Sequence, residues 1–202
     1  MNGGVAPVRF ARSLVAGLAP WLWAVLLAGC AAAPDAAGEP LPSVDPALQA
    51  AAAKAGVFAP FLGSFRGELR MHTAEGEQRV PMGLDVLPTD DPAVWTWTLR
   101  YGSGEREQVR DYRLCLDDVA SGRCRIDERN GIELQGRVVD GELVTVFAVP
   151  GQSLVVRYRA VASGIEFALE AWNPEQDGTT GSDVRTSGTV SAQRAALRAI
   201  GR

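Results

Sequence analysis

Residues 65–72 read Phe65-Arg66-Gly67-Glu68-Leu69-Arg70-Met71-His72, with apolar residues or glycine at every odd position and charged residues or histidine at every even one. Successive side chains of a strand point to opposite sides, so this period of two predicts a strand with one buried and one solvated face. The alternation returns along the chain. Val80, Met82, Leu84 and Val86 carry it after Ala74-Glu75-Gly76, and Trp95, Trp97, Leu99 and Tyr101 carry it against Thr96, Thr98 and Arg100. Further strand-like runs cover 109–116, 123–128, 132–138, 143–149, 154–158 and 165–169, with a weak last one at 184–190. Turn formers separate them, among them Pro88-Thr89-Asp90-Asp91-Pro92, Asn130-Gly131, Asp140-Gly141, Pro150-Gly151 and Ser163-Gly164.

Strands spaced about 8–12 residues apart and joined by tight turns are the signature of an all-β barrel or sandwich. No long helical stretch interrupts the series, and a meander of about ten strands removes its exposed edges most simply by closing on itself. An up-and-down antiparallel β-barrel is therefore expected, ahead of a two-sheet sandwich. A short helix should precede it over 45–56, with Asp45 as N-cap, Pro46 at the first helical position and Gly56 as the stop. A second short helix is expected at 193–200, with Ser191 as N-cap. The barrel domain then spans 57–202.

The beginning of the chain is of another kind. Residues 1–12 hold Arg9 and Arg12 and no acid, and 13–28 are uncharged and mostly apolar. This is a secretory signal layout, shorter than the ~20 residues of a membrane span, although an uncleaved anchor is the alternative. Leu27-Ala28-Gly29-Cys30 resembles the lipobox of bacterial lipoproteins. That resemblance implies removal of 1–29 and acylation of Cys30, and two or three acyl chains hold a protein on a membrane permanently. Ala31, rather than Asp, follows the cysteine, which by the enterobacterial sorting rule implies the outer membrane, facing the periplasm. Residues 30–44, rich in Ala and Pro, read as a flexible tether. The two other cysteines, Cys115 and Cys124, flank a turn-rich segment in an exported chain, and a disulfide between them is expected to contribute roughly 2–3 kcal/mol.

Composition narrows the function. The 202 residues are 47% apolar, enough for a packed core, and carry 20 basic against 24 acidic side chains without a basic run, which argues against nucleic acid as a partner. A single histidine and three cysteines leave too few soft ligands for most tetrahedral zinc sites. His72 is the only possible triad base, and it lies on the charged face of its strand without an orienting partner, so it reads as a surface residue. Gly102-Ser103-Gly104 is no nucleophile elbow, and Asp85, Asp90 and Asp91 lack calcium-loop spacing. No catalytic residue, metal or cofactor is expected, and the protein reads as non-enzymatic.

The short helix leading into Phe61-Leu62-Gly63-Ser64-Phe65-Arg66-Gly67 and then into a meander is similar to the calycin group, the lipocalins and their bacterial relatives. In that group a Gly-X-Trp segment at the first strand plugs one barrel end; Gly63-Ser64-Phe65 takes that place with Phe for Trp. The Trp95-Thr96-Trp97, Arg110-Asp111-Tyr112 and Ile126-Asp127-Glu128 stretches resemble domains of unassigned role in the same group.

Trp95, Trp97 and Tyr112 then line either an apolar pocket or plain core; a barrel wider than about eight strands is expected to keep some cavity. Arg110 shares the face of Tyr112 and Leu114. Buried there, it needs a carboxylate, for which Glu128 is the candidate, or an anionic ligand head, and Tyr158 could hydrogen-bond it. The leading expectation is a lipid-anchored lipoprotein holding a small apolar or amphipathic ligand at Trp95, Trp97, Tyr112, Arg110 and Tyr158. The other is a filled barrel acting as an envelope interaction module, with the strand edges and loop 173–182 as its surface.

Overall fold

The computed structural model describes residues 46–173, 178–180 and 184–200; the apolar leader, Cys30, the tether and Asp45 lie outside them. The strands are β1 (Gly63–Thr73), β2 (Gly76–Val86), β3 (Val94–Tyr101), β4 (Gln108–Asp118), β5 (Arg123–Asp127) and β6 (Glu133–Val139). They continue as β7 (Glu142–Val149), β8 (Gln152–Val161), β9 (Gly164–Trp172), β10 (Gly178–Thr180), β11 (Val184–Thr186) and β12 (Thr189–Ile200). From β1 to β9 each strand pairs antiparallel with the next, and β12 pairs with both β9 and β1, so ten strands form a closed up-and-down barrel. Strands β10 and β11 pair only with each other. The tight turns fall where the sequence places them: Asp140 (φ 50°) and Gly141 (φ 75°) join β6 to β7 in the left-handed conformations that a two-residue hairpin demands.

The closing strand corrects the expectation of a C-terminal helix at 193–200. Ala, Arg, Gln and Leu all favour helix intrinsically, which is why the stretch reads as one. In the structure they extend as β12, with Ala195 and Leu197 buried inside and Arg194 and Arg198 on the outer side. The barrel edges left by β1 and β9 pair such a strand along both of its sides, and that outweighs a propensity difference of a few tenths of a kcal/mol per residue. The seam also needs close approach. A β-carbon on Gly67 would sit 2.3 Å from the Ala196 carbonyl oxygen, and one on Gly164 would sit 2.0 Å from that of Leu197.

A second correction concerns the cysteines. Both Cys115 and Cys124 are free thiols. Leu116 lies opposite Cys124 and Cys115 opposite Arg125 in the β4–β5 ladder. The two cysteines are thus one register step apart, and a single step reverses the face. Cys124 is buried inside the barrel wall, where burial pushes its thiol up to about 12, while Cys115 belongs to the outer face beside Arg125.

One end of the barrel is closed by the chain that enters it. Helix α1 (Pro46–Lys54) buries none of its own residues but rests Leu48, Ala51 and Ala52 on the core. Gly56, at φ 52°, turns the chain into a 3-10 segment (Gly56–Phe61) that inserts Phe58 and Phe61, both fully buried. Phe58 meets Trp95 edge to face at 6.5 Å between ring centroids. Phe65, Leu84, Leu143 and Ile165 fill the same end without any exposure.

Candidate functional site: the open end of the barrel

Toward the other end the interior changes character. Across the middle, Trp97 of β3 meets Tyr158 of β8 edge to face at 4.9 Å, and Tyr158 meets Phe167 of β9 at 5.2 Å. Strands β3 and β8 stand on opposite sides of the ring, so these three side chains span the lumen and form a floor. Beyond the floor, Met71, Val80, Tyr101, Leu134, Phe147 and Leu169 face inward by strand parity yet remain only half-buried. Solvent therefore reaches inward-facing apolar walls, and this end is a shallow cup.

The polar groups of the cup come from β4 and from the residue after β5. Tyr112 lies opposite Trp97, and Arg110 opposite Leu99, so both point inward. Continuing the β4–β5 register brings Glu128 opposite Tyr112. Burial raises the pKa of the Tyr112 hydroxyl; the Glu128 carboxylate adds to the rise, and the Arg110 guanidinium beside it opposes it. Burial likewise lifts Tyr101, and Tyr158 stands well above an ordinary tyrosine for the same reason. All three tyrosines of the chain thus face the interior in neutral form. The Trp97 indole N–H lies near enough to the Tyr158 hydroxyl to favour its ionised form slightly, but the pair lacks hydrogen-bond geometry, and Trp97 Nε1 is buried without an acceptor.

Arg110 has no carboxylate within ion-pair distance among the described residues; the Tyr112 hydroxyl is its near neighbour, and Tyr101 stands diagonally from it in the β3–β4 ladder. Glu128, the expected partner, instead accepts a hydrogen bond from Asn130 Nδ2 at 3.3 Å. Tyr158, the other candidate, is engaged with Trp97 and Phe167. Among the five residues singled out by sequence, Tyr112 and Arg110 stand in the cup wall and Trp97 and Tyr158 in its floor, whereas Trp95 belongs to the closed end beneath Phe58. The sequence reading leaves out Leu134, Phe147, Leu169 and Met71; period-two parity places them inside, but nothing in the pattern says at which end the plug stops.

Other groups lie outside the barrel. His72 is exposed, with Nδ1 3.6 Å from Glu77. Asp85 is bound by Arg66 at 2.7 Å and Arg100 at 3.0 Å. Burial opposes its charge, but hydrogen bonds from Arg66, Ser64 and Arg100 win and hold its carboxyl below the ordinary range. A groove of about 540 Å³ crosses the outer face of β8, β9 and β12, and a smaller hollow of about 230 Å³ lies at Thr89, Asp90 and Arg113.

Fold and site together define a closed ten-stranded antiparallel barrel, plugged at one end and cupped at the other. The sequence matches no protein-family profile and no curated protein. Among solved structures, a protein of unknown function of the DUF3598 family from Nostoc punctiforme is similar at a TM-score of 0.48 and 12% identity. The similarity covers 70% of this chain and 48% of that one, so the chain spans about half the length of this neighbour.

Proposed function

We propose that the protein is a non-enzymatic envelope lipoprotein, anchored through acylated Cys30 to the outer membrane and facing the periplasm, whose calycin-like barrel binds a small amphipathic ligand in its open cup. The observation that carries this reading is Arg110, an inward-facing guanidinium with the Tyr112 hydroxyl beside it and no carboxylate partner among the described residues. A ligand with an acidic head would supply the missing charge, because a half-buried guanidinium gains most from a charge-assisted pair. Its apolar part would lie on Leu134, Phe147 and Leu169, above the Trp97–Tyr158 floor. The cup is shallow, which favours a short chain or a small ring over a long one.

Titration with a fluorescent fatty acid, read through tryptophan emission, tests the reading on the full chain. Binding is expected, and Arg110→Met should weaken it about tenfold or more, the loss of one hydrogen bond to a charged group. A fatty acid that leaves the emission unchanged, or binds the folded variant as tightly, overturns the reading. The second reading, a filled barrel serving as an interaction module, is favoured by the aromatic span itself, which leaves the middle of the barrel no room for a ligand.

A further inference from the structure

The outer wall carries an arginine arrangement that the cup does not use. Arg70 of β1 lies directly opposite Arg79 of β2 on one side and Arg194 of β12 on the other. The same row continues through Ala168 of β9 to Arg157 of β8. Like charges directly opposite across strands destabilise a sheet. Carboxylates relieve this row only in part. Arg79 bonds Glu77 at 2.6 Å and Glu68 at 3.3 Å, while one carboxylate, Glu170, is shared by Arg194 and, at 3.7 Å, Arg157. Arg70 forms no ion pair among the described residues.

At Ala168, whose small side chain breaks the row, the surface sinks into the groove of about 540 Å³ walled by Arg70, Arg157, Arg159 and Arg194. Two carboxylates also line it, and one of them, Glu142, is engaged by Arg159 at 3.4 Å. Arg194 is already fixed: its Nη1 donates to the carbonyls of Leu169 at 3.2 Å and Gln193 at 3.0 Å. A guanidinium ordered before the ligand arrives loses less entropy on binding.

We propose that this groove binds a phosphate mono- or diester group, carried either by a small soluble molecule or by a lipid headgroup. A tetrahedral phosphate offers several acceptor oxygens to guanidinium groups that line the groove from three strands, and an anion among them turns the like-charge repulsion of the row into attraction. Past the groove the same register passes Val144 of β7 and reaches Arg137 of β6 and Arg123 of β5; at the groove itself Glu142, Glu166 and Glu170 stand among the arginines, which suits one phosphate group better than the continuous backbone of a nucleic acid.

The test uses the full chain at low salt in two arms, calorimetric titration with inorganic phosphate and co-sedimentation with phosphatidylcholine vesicles with and without phosphatidylglycerol. Binding is expected in at least one arm: response to phosphate assigns the groove to soluble phosphates, and response to anionic vesicles alone assigns it to headgroups. Removing Arg70 and Arg157 together (R70A, R157A) should lower the affinity about tenfold or more, whereas the charge-matched pair R106A, R113A should leave it within about twofold. Arg70→Gln alone, which relieves the crowded row without breaking an ion pair, provides a folded variant and should show a smaller loss. The proposal is overturned by absence of binding in both arms, by undiminished binding in the Arg70 variants, or by an equal loss in the control pair.

Discussion

The two ends of this barrel are built from the same alternating strands yet differ in nearly every other respect. At the closed end the entering chain contributes Phe58 and Phe61, and Phe65, Leu84, Trp95 and Ile165 of the same core are withdrawn from solvent almost completely. At the open end nothing described is inserted, the inward positions stay half-buried, and the interior holds Arg110, Glu128 and tyrosine hydroxyls. The difference shows that the wall side chains of this ten-stranded barrel, which meet across its middle at Trp97, Tyr158 and Phe167, do not by themselves fill each end. Where additional side chains arrive, it becomes core, and where none do, it becomes a cup that polar groups can occupy without full desolvation.

The comparison can be broken most directly by truncating one phenylalanine at each end. Phe58→Ala should cost about 3–5 kcal/mol, the range for a fully enclosed phenylalanine, and Phe147→Ala less than about half of that, because its cavity would open to water. Urea unfolding of the two variants measures the gap; equal losses would mean that the ends are energetically alike. A smaller effect is expected at the seam that holds both ends in one ring. Gly67→Ala forces a β-carbon toward the Ala196 carbonyl, and a destabilisation of about 1–3 kcal/mol should appear in the same assay.

The smallest effect concerns ionisation and is silent at neutral pH. Burial raises the folded-state pKa of Tyr101, Tyr112 and Tyr158, so their contribution to stability is complete below the unfolded tyrosine value of about 10 and is lost as the pH climbs beyond it. Tyrosinate absorbance should therefore rise together with alkaline unfolding. Tyr112, in the cup wall with Arg110 beside it, is the one expected to titrate first, and a bound acidic ligand on Arg110 should delay it. Early ionisation of Tyr158 in the folded protein would show that the floor is wetter than its packing indicates.

Much of the fold was legible because strand parity is a local property. Whether Trp97, Tyr112, Arg110 and Tyr158 face inward follows from counting by twos within a strand, and the turns at Asp140-Gly141 and Asn130-Gly131 are declared by two residues each. Parity also contains the fate of the cysteines, but only once the register is known: a shift of one residue in the β4–β5 hairpin would have put Cys115 and Cys124 on the same face. Residues 193–200 are the opposite case. Their composition favours helix, and nothing within the segment reveals that two strand edges await it, one of them 130 residues earlier in β1 near Phe65 and Leu69.

By itself, then, the sequence determined the period of its strands, the places where they turn and which side of each is apolar, since these depend on neighbours a few residues apart. Only the tertiary structure decided that the last segment closes the ring, that the plug stops below Trp97, that Arg110 finds no carboxylate among the described residues, and that arginines from six strands line up across the outer wall. Each of these is set by register and closure between segments remote in the chain. A sequence without a basic run can still present a basic row, because the row crosses the strands instead of following them.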